Sequence, residues 1–476
     1  MTSNYPQVQL RINDKVLVDI PPQYLAEFTY TSRAAGTFSF SVLLHDPKFG
    51  ELERLLIDSS KINRQRSKND RGSIFLDARF GFLQAPNASD NLNSSVSFWQ
   101  NAVLTNITPE FNAIPSLTLN AVARSGFDKD QGPIVFRGKV SDVVRDIAAR
   151  LNLEPDIEET REEVASTSNL SNLRSFVKDD PKKGLVWRTN GLPWLQFVKD
   201  VLAPLALSKE SNLNGKGTPN NKRTRNEVDP YSAGYYMHVG SHPTKPVPSG
   251  KDGWLIFRRE IIAKDTFNIP TFYCLLGYQS GNSGTLIEFK PTIRAASYAA
   301  ALSSQMVFYN TDATKRNLEP LSLGSSLPDK AKNILTGDGS SFQPPLPHPI
   351  EGSGKLKGAK GVYTTPYAKN DQAAIAAASL WRRLHNTMHT ATATWLGTPD
   401  TVQQIMPQRR ARVIAITPEG NIHYSSGIWY IKEAVHSITG GEYKIQTQLI
   451  KDSSSGGSYK TTSSKDMLRG PRGERR

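Results

Sequence analysis

The stretch GIWYIKEAVHSITGGEYKIQTQLI, residues 427–450, has a clear strand pattern. In its second half Tyr443, Ile445, Thr447 and Leu449 alternate strictly with polar residues. Successive side chains of a strand point to opposite faces of a sheet, so this period of two predicts a half-buried antiparallel strand. Residues 427–431 have strand character as well, and this part of the chain is therefore predicted to be β-structure.

Period-two alternation also opens the chain. Val8, Leu10 and Ile12 alternate with polar residues, and residues 13–15 can turn before a second run at 16–20, which predicts a hairpin. We expect a short helix at 49–57. Further strand patterns lie at 28–44, 73–82, 96–106 and 117–122. Residues 1–128 are therefore predicted to form a first β-barrel or sandwich.

Helical spacing replaces this pattern in residues 129–270. Apolar residues from Val143 to Leu151 fall on one helical face, Ser141 can cap the N-terminus of that helix, and Asn152 can end it. A second helix is predicted at 192–202. A strand pair is predicted at 235–239 and 254–257. The segment is therefore predicted to be a small α/β insertion domain.

Strand patterns return in residues 271–452, which are predicted to form a second β-barrel. A stretch at 310–370 contains seven prolines and no sustained periodicity, so we expect a long arm that interrupts this barrel. An alanine-rich helix is predicted at 371–388. Residues 453–476 have little to bury and are predicted to be a disordered basic tail. The predicted fold class is mainly β with an α+β insertion.

The charge of the chain is strongly basic. Its 476 residues include 58 Lys plus Arg and 44 Asp plus Glu, which gives a formal net charge of +14. A single cysteine, Cys274, excludes an intramolecular disulfide framework. No stretch approaches the ~18 apolar residues of a membrane span. We therefore expect no membrane span and assembly in a reducing cytoplasm.

Part of the basic excess lies in three clusters that we predict to contact acidic partner proteins. Aromatic residues are not interleaved with them as on a surface that binds single strands, which disfavours nucleic-acid recognition as the main task. The clusters are Lys61, Arg64, Arg66, Lys68 and Arg71; then Lys222, Arg223 and Arg225; and last Arg469, Arg472, Arg475 and Arg476.

Motifs of catalysis and metal binding are not convincing, so we expect no enzyme activity, no cofactor and no metal. His385 and His389 have the spacing of two zinc ligands, but Asn386 stands where a zinc protease has glutamate. Paired acids at 158–159 and 162–163 leave hydrolysis by two carboxylates open as an alternative.

Two stretches resemble phage baseplate hub proteins of the late-control-D type. They are residues 138–148, GKVSDVVRDIA, and residues 427–443 of the stretch quoted first. Residues 194–197, 286–291 and 394–399 are similar to that family in the same order. The resemblance implies two tail-tube-like barrels with an α/β insertion between them, and packing or hydrogen-bonding roles for His436 and the tryptophans. Gln408 stands where the family often has glycine.

The resemblance also implies a function. Three chains would form a pseudo-sixfold ring that joins the tail tube to the central spike, as a structural protein of the virion's tail baseplate assembled in the host cytoplasm. Expected partners are further copies in a homotrimer, the tail tube or distal tube-initiator protein, the central spike, baseplate wedge proteins, and genome DNA in transit. The alternatives are a tail-associated cell-wall hydrolase, or the hub of a phage-like injection system.

Overall fold

The structure is a computed structural model. It describes residues 5–13, 16–19, 23–45, 54, 74–82, 96–111, 113–124, 132–164, 176–180, 184–208, 235–259, 269–275, 285–293, 307–309, 320–322, 389–418, 420, 423 and 425–451.

Strands dominate this part of the chain, and the helices are few and short. The strands are β1 (Gln7–Ile12), β2 (Val16–Asp19), β3 (Leu25–Arg33), β4 (Gly36–His45), β5 (Leu76–Gly81), β6 (Ala102–Glu110), β7 (Ser116–Ala123), β8 (Val135–Arg137), β9 (Leu153–Ile157), β10 (Thr160–Val164), β11 (Val177–Asp180), β12 (Gly184–Arg188), β13 (Ala206–Ser208), β14 (Tyr235–Gly240), β15 (Gly253–Arg259), β16 (Thr271–Leu275), β17 (Leu286–Ile293), β18 (Val307–Tyr309), β19 (Pro320–Ser322), β20 (His389–Leu396), β21 (Arg410–Ile416), β22 (Gly427–Thr439) and β23 (Glu442–Lys451). The helices are α1 (Val140–Arg150), α2 (Trp194–Phe197), a π-helical turn (Val198–Leu202), α3 (Ala203–Leu205) and α4 (Thr401–Gln404).

The largest sheet joins strands from opposite ends of the chain. Its order is β17-β20-β23-β22-β3-β4, and β4 then pairs with both β7 and β14. The decisive pairing is antiparallel between β3 and β22, where Glu27–Arg33 lie beside Glu433–Thr439. The mainly β fold class is therefore confirmed.

Buried apolar residues form two separate clusters. The first draws on residues 8–123 and 272–449, so both ends of the chain contribute to one core. Phe80 lies at its centre, with ring centroids 5.1 Å from Phe28 and from Tyr30 and 5.2 Å from His436. Each large apolar side chain buried in this way contributes roughly 1.5–3 kcal/mol of stability. The second cluster lies within residues 136–257 and gives the insertion a core of its own. The domain boundaries at 128, 270 and 452 stay predictions.

Helix α1 confirms the predicted amphipathic helix and corrects its cap. Ser141 lies inside the helix, and Lys139 precedes it as the N-cap with no side-chain capping bond. The orphan backbone N–H of Ser141 instead donates to the hydroxyl oxygen of Thr160, 3.0 Å away. Asn152 ends the helix as predicted, with a left-handed φ of 59°.

Several other predictions are confirmed. The opening hairpin forms between β1 and β2, and β14 pairs antiparallel with β15 as the predicted strand pair. No helix in the described part of the chain is long and apolar enough to cross a bilayer. The helix predicted at 371–388, the tail, and most of the helix at 49–57 lie outside the described residues. So does the arm, apart from β19, which pairs with β18.

Two buried histidines make the stability of the fold depend on pH. His436 Nδ1 lies 2.7 Å from the Tyr443 hydroxyl, and His238 Nδ1 donates to the carbonyl oxygen of Arg33 at 2.7 Å. Burial lowers the pKa of His436 to about 3 and the pKa of His238 to about 4. In the unfolded chain both side chains take up a proton near pH 6.5.

We therefore expect the free energy of unfolding to fall as the pH decreases from about 6.5 toward about 4. Only the unfolded chain binds the two protons in this window, at a loss of about 1.4 kcal/mol per pH unit for each histidine. Urea unfolding at several pH values should show a smaller slope for His436→Gln, by about one proton. Tyr443→Phe is the control, because it removes the hydrogen bond to His436 but keeps the buried histidine, so the pH dependence of stability should keep its native slope. An unchanged slope in His436→Gln would contradict this assignment.

Candidate functional site

The sheet has one face in the core and one face exposed to solvent over eight strands, in the order β17-β20-β23-β22-β3-β4-β7-β6. The strand registers place mainly uncharged polar side chains side by side across this second face, which we call the polar face, with Val122, Val435, Leu396 and Lys444 among them. One row across six strands is Thr394, Gln446, Val435, Thr31, Ser39 and Val122. The next row is Leu396, Lys444, Ser437, Thr29, Ser41 and Asn120.

Three basic side chains on the polar face are paired with acidic ones. Arg33 Nε lies 3.2 Å from a carboxylate oxygen of Glu433, across β3 and β22. The ammonium group of Lys290 lies 2.6 Å from Glu288, and that of Lys444 lies 2.8 Å from Glu442. Exposed pairs of this kind add little stability, roughly 0–1 kcal/mol each. Their consequence is electrostatic, because each of these three positive charges is opposed by a neighbouring carboxylate.

The polar face is rich in hydroxyl and amide groups, and its ion pairs combine positive with negative charge. Its hydroxyl and amide groups bind water, while β-branched threonine is also a good strand former. A polyanion that touches such a wall meets no row of Lys or Arg to hold its phosphates. Chemically, the arrangement suits passage of a charged polymer better than retention of it.

A buried ion-pair cluster lies behind this sheet. Asp77 on β5 is 2.8 Å from both Arg11 and Arg124, and its carboxylate also accepts the backbone N–H of Ala102 at 3.0 Å. Burial raises the pKa of Asp77 above its usual value. The guanidinium groups of Arg124 and Arg11 favour the charged carboxylate and offset part of that increase. Removing one partner of a buried pair typically costs about 3–5 kcal/mol. The cluster links β1, β5 and the end of β7. We interpret it as structural, because the Asp77 carboxylate is fully buried between its two arginine partners.

The acidic residues of the insertion were the candidates for two-carboxylate hydrolysis. Glu159 pairs with Lys139 at 2.6 Å and with Arg145, and the hydrogen bond from Lys139 is the largest cause that lowers the pKa of Glu159 to about 2. Glu158 accepts a hydrogen bond from Arg259 Nε at 2.6 Å. The hydrogen bond with His242 lowers the pKa of Asp156. A general acid needs a raised pKa, so both shifts have the wrong direction for that role.

Gln408 joins the insertion to the β-sheet region. Its backbone has a φ of 70°, in the left-handed region that favours glycine, which explains the glycine expected at this position. Its side-chain oxygen accepts a hydrogen bond from Arg258 at 2.8 Å and lies 3.3 Å from the hydroxyl of Tyr236. These hydrogen bonds offset the energetic cost of the left-handed backbone, because they give the half-buried guanidinium group of Arg258 on β15 an acceptor.

The predicted basic clusters all lie outside the described residues, so their contact role stays a prediction. The polar face was missed by sequence reasoning. A signal for it exists in the alternating threonines of β20 and the glutamines of β23, read on the side opposite the apolar residues. His436 has the hydrogen-bonding role that the resemblance implied.

Solved structures of tail proteins align with nearly the whole chain. A tail protein from Neisseria meningitidis MC58 has a TM-score of 0.50 and 10% sequence identity, over 95% of this chain and 99% of that one. The chain shares the fold of that tail protein. The 43 kDa tail protein of prophage MuSo2 from Shewanella oneidensis aligns over 94% of this chain and 97% of that one, with 9% identity and a TM-score of 0.46.

A component of the type VI secretion system from E. coli aligns over 93% of this chain and 76% of its own, with 8% identity and a TM-score of 0.40. No protein-family model matches the sequence, and no curated protein matches it. The likeness is therefore one of fold.

Substitutions at Gln408 test how the insertion is held. Gln408→Ala keeps the left-handed backbone and loses the bond to Arg258, so we expect a loss of about 2 kcal/mol in unfolding free energy. Gln408→Gly loses the same bond and relieves the strain, so it should be about 1 kcal/mol more stable than Gln408→Ala. Chemical denaturation measures both. An alanine variant as stable as the native protein would show that the side-chain contacts contribute nothing.

Proposed function

We propose that this chain is a structural, non-enzymatic hub of a phage tail baseplate. Three copies form a pseudo-sixfold ring that joins the tail tube to the central spike, and baseplate wedge proteins surround it in the virion. The tail-protein fold supports a role in a tail. The observation that carries the proposal is the polar face, which extends over eight strands and whose ion pairs give the charge balance that the wall of a conduit for DNA needs.

The charge of the polar face differs from the charge of the chain. Overall the protein has 58 basic and 44 acidic residues, an excess that attracts polyanions. Duplex DNA carries one negative charge per about 1.7 Å, and each phosphate that contacts a Lys or Arg adds to the hold on it. On the polar face Arg33, Lys290 and Lys444 each lie beside a carboxylate. Genome DNA is therefore a partner in transit only.

Lysines placed on the polar face test this function. Thr31→Lys with Gln446→Lys puts two unopposed charges in one row of the sheet, on either side of Val435, so we expect normal particles with an infectious titre at least tenfold lower. Thr31→Asn with Gln446→Asn is the matched neutral control and should infect normally. Particle counts and titres are measured on virus carrying each variant. Full infectivity of the lysine variant would reject a conduit lined by this face.

The basic clusters supply the second part of the proposal, contact with acidic surfaces of neighbouring baseplate proteins. Arg64→Glu with Arg66→Glu should weaken assembly, and more so at low salt than at high salt. Exposed pairs are screened beyond a Debye length of about 8–10 Å at moderate ionic strength, so their contribution is largest in dilute salt. Assembly yield against salt concentration measures it. An assembly yield that does not change with salt concentration in either the native or the variant protein would exclude this role.

A further inference from the structure

The insertion is attached to the β-sheet region by a set of contacts that we call the joint. They connect residues 236–258 of the insertion with residues 30–38, 101, 123–124 and 408 of the β-sheet region. Among the described residues the two apolar clusters share no member, so no apolar core is common to the two regions. Parts of one chain that meet in this way move relative to each other unless their interface is large and hydrophobic.

The backbone part of the joint is short. β14 pairs with β4 in parallel at two positions, where His238 lies beside Gly36 and Val239 lies beside Thr37. By contrast, β14 pairs with β15 along its whole length, and β4 pairs with β7 from Ser39 onward. Separating β14 from β4 therefore leaves the strand pairing inside each region intact.

The side-chain part of the joint contains several hydrogen bonds. His238 Nδ1 donates to the carbonyl oxygen of Arg33 at 2.7 Å, and Asn101 Nδ2 donates to the carbonyl oxygen of Lys251 at 3.3 Å. The side chain of Gln408 accepts a further bond of this kind. When such groups separate, water replaces the lost partner, so each bond adds little net stability, whereas apolar burial dominates the stability of each core. We therefore expect the joint to open at a lower free-energy cost than either core.

Gly240 makes a close approach to the sheet within the joint. Its φ is 115°, and a Cβ atom added there would lie 2.6 Å from the ring of Phe38 and 2.8 Å from the Cβ atom of Ala123. A side chain at this position would push the insertion away from the sheet. Gly240 thus covers part of Ala123, which is buried in the native protein.

We propose that the insertion is a hinged unit, which detaches from the sheet at the joint while both apolar cores stay folded. Detachment breaks the two strand pairs and the hydrogen bonds of the joint, and the covalent chain still connects the two regions. The joint lies where β3 ends and β4 begins, at one end of the polar face. Opening changes what stands beside that end, and it requires neither the ring of the proposed function nor contact with DNA.

Cysteine labelling of the full chain tests the hinge. Ala123→Cys places a thiol beneath Gly240, and Ala121→Cys places one on the same strand and the same face, within the first core. Opening uncovers the first thiol and leaves the second covered, so a maleimide should label Ala123→Cys at least about tenfold faster than Ala121→Cys. Native Cys274 is buried and gives the background rate. Equal labelling rates for the two variants would overturn the proposal.

Urea separates opening of the hinge from unfolding. Opening exposes less surface than unfolding does, so the labelling rate of Ala123→Cys should rise less steeply with urea than that of Ala121→Cys. An equally steep rise at both positions would show that unfolding alone exposes them, and it would reject the hinge.

A substitution in the joint should shift the hinge toward its open state. Gly240→Ala adds the Cβ atom that meets Phe38 and Ala123, so labelling of Ala123→Cys should become at least about tenfold faster, with Ala121→Cys unchanged. Gly191→Ala is the matched control, because Gly191 also has a positive φ, 83°, but a Cβ atom there meets nothing within 4 Å. This control should keep the native labelling rate. An unchanged rate for Ala123→Cys in Gly240→Ala, with native circular dichroism, would contradict the proposal.

Discussion

The pairing of β3 with β22 is the interaction on which the rest of the structure depends. It places Glu27–Arg33 beside Glu433–Thr439, about four hundred residues apart in sequence. Closing so long a loop has an entropic cost that grows only slowly with loop length, so a large shared core can offset it. That core forms where Phe80 contacts Tyr30 from the start of the chain and His436 from its end. Without this pairing each half would keep an open sheet edge.

The insertion depends on the same sheet. His238 on β14 lies beside Gly36 at the start of β4, in a short parallel pairing, and Gln408 binds Arg258 from the other half of the chain. The two cores are thus linked by hydrogen bonds between buried or half-buried groups, where polar contacts specify one arrangement. The polar face stays outside both cores, which leaves its threonines and glutamines in solvent.

Local sequence patterns predicted the elements better than their partners. The alternation of β23 and the helical face of α1 are visible because side-chain direction follows from the local backbone period. The prediction that Ser141 caps α1 was wrong. Thr160, nineteen positions after Ser141, accepts the hydrogen bond from the backbone N–H of Ser141, and only the tertiary fold brings the two residues together. The pairing of β3 with β22 could not be predicted, since a period of two tells which side of a strand is buried and not which strand lies beside it. The polar face depends on that pairing and was missed with it.

In the proposed hub the polar face lines the inside of a closed ring. A density map of the purified native assembly by electron cryo-microscopy tests this most directly. We expect three copies around a central opening, with β20, β23 and β3 of each copy presenting Thr394, Gln446 and Thr31 to that opening. A map in which these side chains face outward, or in which the assembly has no opening, would contradict it.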